Sequence, residues 1–386
     1  QIDRYRHFTC FGNAECNDLL DRKLMEHFSM TPEEVETGIR LETKYLWPIF
    51  QEVFIYQNAL LSQNHNFKKY LTHGIQAFID QGMYHVELRH VFGNILNEEG
   101  TEALTPEEEA KFLISVAEDI KAANPDDISP PSVKFIFCDI KIRPVSEIRK
   151  SLEMATYLQS KYGEYILGYD LVGDEAIAPL YHFAPALLER PNFEEKYNTT
   201  IDFFFHAGES NDLSNKNLID ALYFRSRRIG HGLLFTQYPV QESIAKHLDV
   251  CIEVNPISNQ ILGYVSDIKD HPAAHFMANG DAVALSSDDP ALFLYEGTTH
   301  DFYMGFFAWY LDLSGLKKLA LNNFQYGVLD QDEMEAKTRR FERDWKHWID
   351  QMFKLAKPVK KHTRLAQKLQ GDVSEIQEIE KLLGMQ

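Results

Sequence analysis

The sequence predicts an α/β protein of the (β/α)8-barrel type, the TIM barrel, and three observations predict it. Short apolar runs rich in β-branched and aromatic residues alternate with helical stretches through most of the chain. No hairpin signal joins any two of these runs, so crossover helices must make the strands parallel. Three runs end in reactive groups: Phe203-Phe204-Phe205-His206-Ala207-Gly208-Glu209, Arg228-Ile229-Gly230-His231-Gly232 and Leu285-Ser286-Ser287-Asp288-Asp289-Pro290. In a parallel barrel the C-terminal strand ends form the face where chemistry is done.

Taken in order, residues 1–30 show little periodicity and read as a loop-rich lead-in. Thr31-Pro32-Glu33-Glu34 supplies an N-cap, a proline at the first helical position and a glutamate three residues after the cap. Helices follow to about Asp80. Met83 to Arg89 alternates as a strand, with Glu87 and Arg89 expected near its C-terminal end. The cap recurs at Thr105-Pro106-Glu107-Glu108, ahead of Leu113, Val116, Ala117 and Ile120 at helical spacing.

Further strands are expected at Val133–Ile142, Tyr165–Val172, around Phe203, at Arg228–His231, Val250–Val254 and Ala282–Ser286. Helices between them carry Ile148, Leu152 and Ala155 on one face, then span about 213–224, 240–247 and 272–278. Seven strands result, one short of a closed barrel. The stretch from Thr299 to about Leu355 is helical and aromatic-rich and is expected to pack across the last strands. Residues 31–355 are therefore assigned to one catalytic barrel and residues 356–386 to a charged tail. A basic run, Lys354, Lys357, Lys360, Lys361, Arg364 and Lys368, leads into that tail, which ends in the acidic, helix-like stretch 373–383; it reads as a solvated tail or as a polyanion-binding segment.

Composition narrows the function. A chain of 386 residues with 44% hydrophobic and 12% aromatic content can bury a large core. No apolar run approaches the ~20 residues needed to span a bilayer. A formal charge of −19 argues against nucleic acid or another polyanion and favours a small neutral substrate. Cys138 and Cys251 lie in apolar strand-like runs as buried thiols, while Cys10 and Cys16 flank a short loop that a disulfide can close. Asn198-Thr199-Thr200 is an N-x-S/T sequon in a polar stretch where a glycan is tolerated. Both features lean towards a secreted, extracellular protein, and the chain opens at Gln1 without an initiator methionine or signal peptide, as a processed or partial chain would.

The reactive strand ends gain meaning together. Zn²⁺ accepts a histidine nitrogen and a carboxylate oxygen, which His206 and Asp288 can supply. Glu209, one loop step on, can shuttle a proton, and His231 can orient or deprotonate a water. Asp289 faces away from Asp288 and is free to hold substrate. Each has a plainer alternative: Asp288-Asp289-Pro290 as a helix cap, and Gly230-His231-Gly232 as a tight turn with a surface histidine. The joint pattern favours a metal-assisted hydrolytic site.

His206-Ala207-Gly208-Glu209, Ile229-Gly230-His231-Gly232 and Ser286-Ser287-Asp288-Asp289-Pro290, in this order and spacing, resemble the adenosine deaminases of the amidohydrolase superfamily. Val254-Asn255-Pro256-Ile257-Ser258-Asn259-Gln260 and Tyr169-Asp170-Leu171-Val172-Gly173-Asp174-Glu175 extend the match, which runs from about Trp47 to Trp345. Tyr84-His85-Val86-Glu87-Leu88-Arg89 and Asp301-Phe302-Tyr303 resemble the secreted branch, the adenosine deaminase-related growth factors. The resemblance implies a barrel of the metal-dependent hydrolase type that converts adenosine and 2′-deoxyadenosine to inosine and deoxyinosine with release of ammonia. It implies zinc on His206 and Asp288, a proton from Glu209 to purine N1, and help from His231 to the zinc-bound hydroxide attacking C6. It further implies Asp289 at N7, the Gly173 N–H at N3 and Glu87 near the ribose. Partners implied are the nucleoside, a second subunit in the full-length protein and a cell-surface receptor.

One departure stands out. The family's first barrel strand ends in a His-x-His pair that supplies two further zinc ligands, and none of the 15 histidines here forms such a pair. The missing eighth strand and the missing pair are read as one deficit, that of an N-terminally truncated chain lacking the family's dimer-forming segment, with Cys10 to Cys16 resembling a shortened insertion of the secreted branch. A deaminase-like binding or growth-factor protein without turnover is the alternative function; a nucleotide-specific AMP deaminase is disfavoured by the net charge. The barrel reading requires His206, His231 and Asp288 to converge at one mouth, and a structure that separates them removes the site.

Overall fold

A computed structural model describes residue 10 and residues 13–40, 46–210 and 212–356. The basic positions Lys357, Lys360, Lys361, Arg364 and Lys368 and the acidic stretch 373–383 lie outside the described residues. The chain divides into two compact units, Gln1–Asp330 and Gln331–Gln386. The second contributes the helix Gln331–Ala356, along which Phe341, Trp345 and Trp348 make successive tilted ring contacts.

The first unit is built on a parallel wall. Strands β1 (His85–Val91), β2 (Ser132–Ile140), β3 (Ile166–Val172) and β4 (Asp202–Phe203) pair in that order, as do β5 (His206–Ala207), β6 (Arg228–His231), β7 (Cys251–Val254) and β8 (Val283–Leu285). Every pairing is parallel. β4 and β5 are two pieces of one expected strand. Between them the Phe204 N–H donates to the Tyr169 carbonyl at 3.0 Å and the Phe205 N–H to Ser226 Oγ at 3.0 Å, so the backbone stays satisfied through the break. The wall thus has seven strand positions, those the sequence predicts.

Alternation along the strands splits the core into two layers. Val133, Phe135 and Phe137 of β2, with Tyr169, Phe203 and Phe205, pack outwards against the crossover helices, where Leu113, Val116, Ile148 and Leu152 are fully buried. Ile136, Cys138, Leu167 and Phe204 point inwards with Val91, Val172 and Val328. Each fully buried phenylalanine contributes about 1.5–3 kcal/mol. β3 and β4 approach so closely at Gly168 that an added Cβ would lie 2.3 Å from the Asp202 carbonyl oxygen.

The helix starts predicted from sequence form as capping boxes. The Glu108 N–H donates to Thr105 Oγ1 and the Thr105 N–H to Glu108 Oε2; Thr31 and Glu34 repeat the pattern. The lead-in differs from expectation. Ala14–Phe28 is a helix, capped by the Asn13 side chain on the Cys16 N–H, and Cys10 and Cys16 are joined as a disulfide. The helix has no buried residue among its members, which is why hydrophobic periodicity did not reveal it. Met30, Leu46, Phe50 and Val53 then pack against Leu233, Leu262, Leu292 and Phe293, in the segments that follow β6, β7 and β8. The N-terminal helices therefore lie over the C-terminal face of the wall.

The two free edges of the wall are handled by one segment. Asn323 of the helix Leu313–Tyr326 takes the Leu285 N–H on Oδ1 at 3.0 Å and gives an N–H to the Leu285 carbonyl at 2.8 Å, while Asn322 donates to the Val283 carbonyl at 2.8 Å. Beyond it, the Phe324 ring stacks parallel to that of Tyr84, and the Val328 N–H donates to Glu87 Oε1 at 2.5 Å. The expected packing across the last strands is thus made by residues before 331. Asn323→Ala strands both polar groups of buried Leu285, and should lower the unfolding free energy by about 2–4 kcal/mol in urea titrations; an unchanged midpoint would show that the edge does not need this cap.

Candidate active site

His206 begins β5, where the apolar run gives way to the mouth. Asp170, on the neighbouring β3, is fully buried and fixes it twice: Oδ1 accepts the His206 backbone N–H at 3.2 Å and Oδ2 faces Nδ1 at 2.7 Å. Burial alone would raise the Asp170 carboxyl, but His206 and Arg89 hold it well below the usual carboxylate range. An anionic Asp170 places the ring proton on Nδ1 and leaves Nε2 as the free donor atom of His206.

Glu209 follows through a turn that only glycine permits: Gly208 has φ +71°, and a Cβ there would lie 2.7 Å from Leu218 Cγ. The turn is clamped from below by Glu175. Its carboxylate accepts the N–H groups of Gly208 (2.6 Å), Glu209 (2.9 Å) and Ser210 (3.1 Å) and an Asn217 side-chain N–H (3.0 Å). Glu209 is itself buried, and its carboxyl is pushed well above the ordinary range by burial and by the Asp288 and Glu175 carboxylates. Both effects favour the neutral acid form, from which it can give a proton.

His231 closes β6 in the left-handed region, with φ 65°, and Asp288 lies beyond β8 with φ 60°. Such strain in non-glycine residues persists where the surroundings over-determine the geometry, as they do at functional sites. His231 Nε2 is 3.5 Å from Glu209 Oε1 and 4.0 Å from Asp288 Oδ2, and its ring centroid is 5.2 Å from that of His206. Burial pushes the His231 pKa down to about 4, so the imidazole is neutral at physiological pH. Asp288 Oδ2 accepts from Ser258 Oγ at 2.7 Å. Asp289 is raised well above its ordinary value by burial and by Asp288. Gly173 follows β3 with φ +101°, and its N–H makes no hydrogen bond among the described residues.

The structure therefore brings His206, Glu209, His231, Asp288 and Asp289 to the strand ends, with Gly173 at the end of β3. Glu87 is the exception. β1 runs two residues past its expected end, to Val91, which leaves Glu87 in mid-strand opposite Lys134. Its oxygens are taken by Arg228 (2.5 Å), His85 (2.9 Å) and the Val328 N–H. Burial opposes this charge, yet Arg228 and His85 hold the carboxyl far below its ordinary value, so Glu87 is an anion held inside the wall by these partners.

Sequence reasoning did not single out Asp170 or Glu175, although both lie in Tyr169–Glu175; a carboxylate that serves another residue has no spacing signature of its own. It also passed over Lys141. This side chain, 2% exposed just after β2, has an Nζ without a hydrogen-bond partner among the described residues and acts electrostatically on Glu209.

Among the described residues no group of three His, Cys, Asp or Glu side chains is arranged to hold an ion. His206 Nε2 and Asp288 are two donors, and a catalytic zinc needs three protein ligands or more. The described residues do not fit a complete site, and no step is derived through a metal.

A family model described as adenosine deaminase matches residues 18–340. Adenosine deaminase 2-A of Danio rerio is 35% identical over 330 residues, covering 82% of this chain and 62% of that protein. The chain spans about three-fifths of the length of the curated relatives it matches. Among solved structures, Arabidopsis N6-mAMP deaminase superposes with a TM-score of 0.66 at 17% identity, covering 84% of this chain and 93% of that one. An amidohydrolase from Burkhoderia ambifaria with bound Zn gives 0.64 at 15% identity, covering 78% and 79%. At these identities the superpositions speak for the fold alone, a parallel α/β barrel of the TIM type, of which the described residues supply seven strand positions.

Two measurements probe this architecture without turnover. Glu175→Gln turns an acceptor into a donor facing backbone N–H groups; amide exchange at Gly208, Glu209 and Ser210 should accelerate and stability fall by about 1.5–3 kcal/mol, and unchanged protection would dismiss the clamp. Glu209 has a raised carboxyl, so above its ordinary value of about 4.5 the folded state binds more protons than the unfolded one and stability falls as pH rises. Glu209→Gln lacks that dependence. It should gain on the wild type as pH goes from 5 to 8, by about 1–3 kcal/mol; parallel stability curves would refute a buried, raised acid.

Proposed function

The chain belongs to the adenosine deaminase family, and we propose that it catalyses the hydrolytic deamination of adenosine and 2′-deoxyadenosine to inosine and deoxyinosine, as an extracellular enzyme of the adenosine deaminase 2 type. The observation that carries this reading is the pair of acids held towards the protonated form, buried Glu209 and half-buried Asp289, at the site of a neutral His231. A purine base offers ring nitrogens as acceptors, and recognising them requires donors at the site. Protonated Glu209 is assigned to N1, protonated Asp289 to N7 and the Gly173 N–H to N3. Proton transfer to N1 breaks the aromatic conjugation towards C6, where water attacks and ammonia leaves. Family members are metal-dependent, and zinc is the ion proposed, with His206 Nε2 and Asp288 as the donors this chain offers.

Residues 31–355 are proposed as the catalytic barrel. Secretion is supported by the Cys10–Cys16 disulfide, since such bonds persist in oxidising compartments. Asn198 is exposed in a left-handed cap at the end of the helix Arg190–Tyr197, an accessible position for a glycan. Assembly into a homodimer and a cell-surface receptor remain part of the proposal for the whole protein.

The donor count favours one second reading, a deaminase-like protein that binds nucleosides without turnover. Conversion of adenosine, followed by the absorbance change at the purine with zinc supplied, separates the two. Turnover that falls by at least about 100-fold in Glu209→Gln supports the enzyme; saturable adenosine binding with no turnover in either form supports the binding protein. Zinc affinity should be weak for a two-donor site and fall further in His206→Ala, as read by equilibrium dialysis.

A further inference from the structure

We propose that Asn259 and His271 act as positioning residues that fix the tautomer of His231, so that His231 offers Nε2–H to the site as a hydrogen-bond donor and takes no proton at that atom. His271 and the Asn259 side chain lie behind His231, and no role has been assigned to either. The assignment begins at a group whose polarity is beyond dispute. The Ala273 backbone N–H donates to His271 Nδ1 at 3.0 Å, and a backbone N–H is only ever a donor. Nδ1 of His271 must therefore be bare.

His271 is 2% exposed and burial pushes its pKa down to about 3, so it is neutral and its single ring proton sits on Nε2. That Nε2 lies 3.0 Å from Asn259 Oδ1. An amide side chain can be built either way round from shape alone, but here the donor at Nε2–H requires the oxygen to face His271. The Asn259 nitrogen is then turned to His231 Nδ1, at 3.1 Å, and donates to it. Asn255 Nδ2 approaches the same nitrogen at 3.2 Å. Among the described residues Asn255 Oδ1 has no partner of its own, so the orientation is transmitted through Asn259.

With Nδ1 of His231 accepting, the proton of the neutral ring belongs on Nε2. That atom faces the Glu209 and Asp288 carboxyl oxygens at 3.5 and 4.0 Å, which suits an N–H. His271 and Asn259 are 2% and 0% exposed, so bulk water does not compete for these bonds. The chemical consequence is a choice between two roles that the residue type leaves open. His231 holds an oxygen of the reacting water through Nε2–H; it is not the base that deprotonates it. This consequence rests on the deaminase reading, whereas the tautomer itself does not.

The test uses the full chain labelled with ¹⁵N-histidine, with the His231 ring signals assigned by their loss in His231→Gln. The wild type should show a pyrrole-type Nε2 and a pyridine-type Nδ1. Asn259→Asp keeps the shape but accepts from both rings, so the His231 pattern should invert and kcat should drop by at least about 100-fold with KM changed less than about threefold. His271→Leu frees the Asn259 amide to turn and should give mixed His231 signals. A wild-type Nδ1–H tautomer, or an Asn259→Asp protein with unaltered ring signals, overturns the proposal. If Asn259→Asp does not fold, the wild-type spectrum and His271→Leu decide. An Nε2–H tautomer in a chain that never deaminates adenosine would leave the relay standing and remove only the catalytic reading.

Discussion

A chain of buried charges runs through the inside of the strand wall, and the site is set on top of it. Glu87 pairs with Arg228 (2.5 Å), Arg228 with Glu253 (2.6 Å), Glu253 with Arg89 (2.8 Å), Arg89 with Asp170 (2.7 Å), and Asp170 Oδ2 with His206 Nδ1 (2.7 Å). Removing one partner from such a chain leaves an uncompensated charge in a low-dielectric interior, which costs about 3–5 kcal/mol. Remaining donors are used as well: Arg228 also reaches the Tyr326 carbonyl and Arg89 the Phe204 carbonyl. The charges therefore tie β1, β3, β6 and β7 to the segment that covers the wall's edge. Rigidity at His206 is inherited from residues a full strand length below it.

At the mouth the logic is reversed. Glu209, Asp288, Asp289 and Glu175 crowd together, and carboxylates that close cannot all be ionised. Glu175 accepts four N–H groups. Among the described residues Glu209 and Asp289 accept no such bonds, and both are pushed towards the acid form. Equivalent side chains thus divide into an acceptor that shapes a loop and acids that can donate. Electrostatic crowding, with burial, makes the division.

Much of this was legible in the chain. Seven strands with their crossover helices follow from apolar runs and cap residues, and Thr105–Glu108 forms the very box its spacing implies. The reactive strand ends were visible because His206, His231 and Asp288 break apolar runs abruptly. Less legible were residues whose partners are distant in sequence. Glu87 and Arg89 look like a strand terminus when charge is taken to mark the mouth, yet both turn inwards to neutralise Arg228, Asp170 and Glu253. The helix Ala14–Phe28 buries none of its side chains, so no periodic stripe announced it.

The sequence by itself determined the parallel alternation, the family and the residue types available to the site, because period-2 and period-3.6 patterns and short motifs are local properties. Tertiary structure alone decided protonation and tautomer. Whether Glu209 is an acid or an anion depends on burial beside Asp288 and Glu175, and which nitrogen of His231 is bare depends on an N–H at Ala273, 42 positions away in the chain but three hydrogen bonds away in space. Those quantities arise from distances between side chains, and spacing along a chain does not encode them.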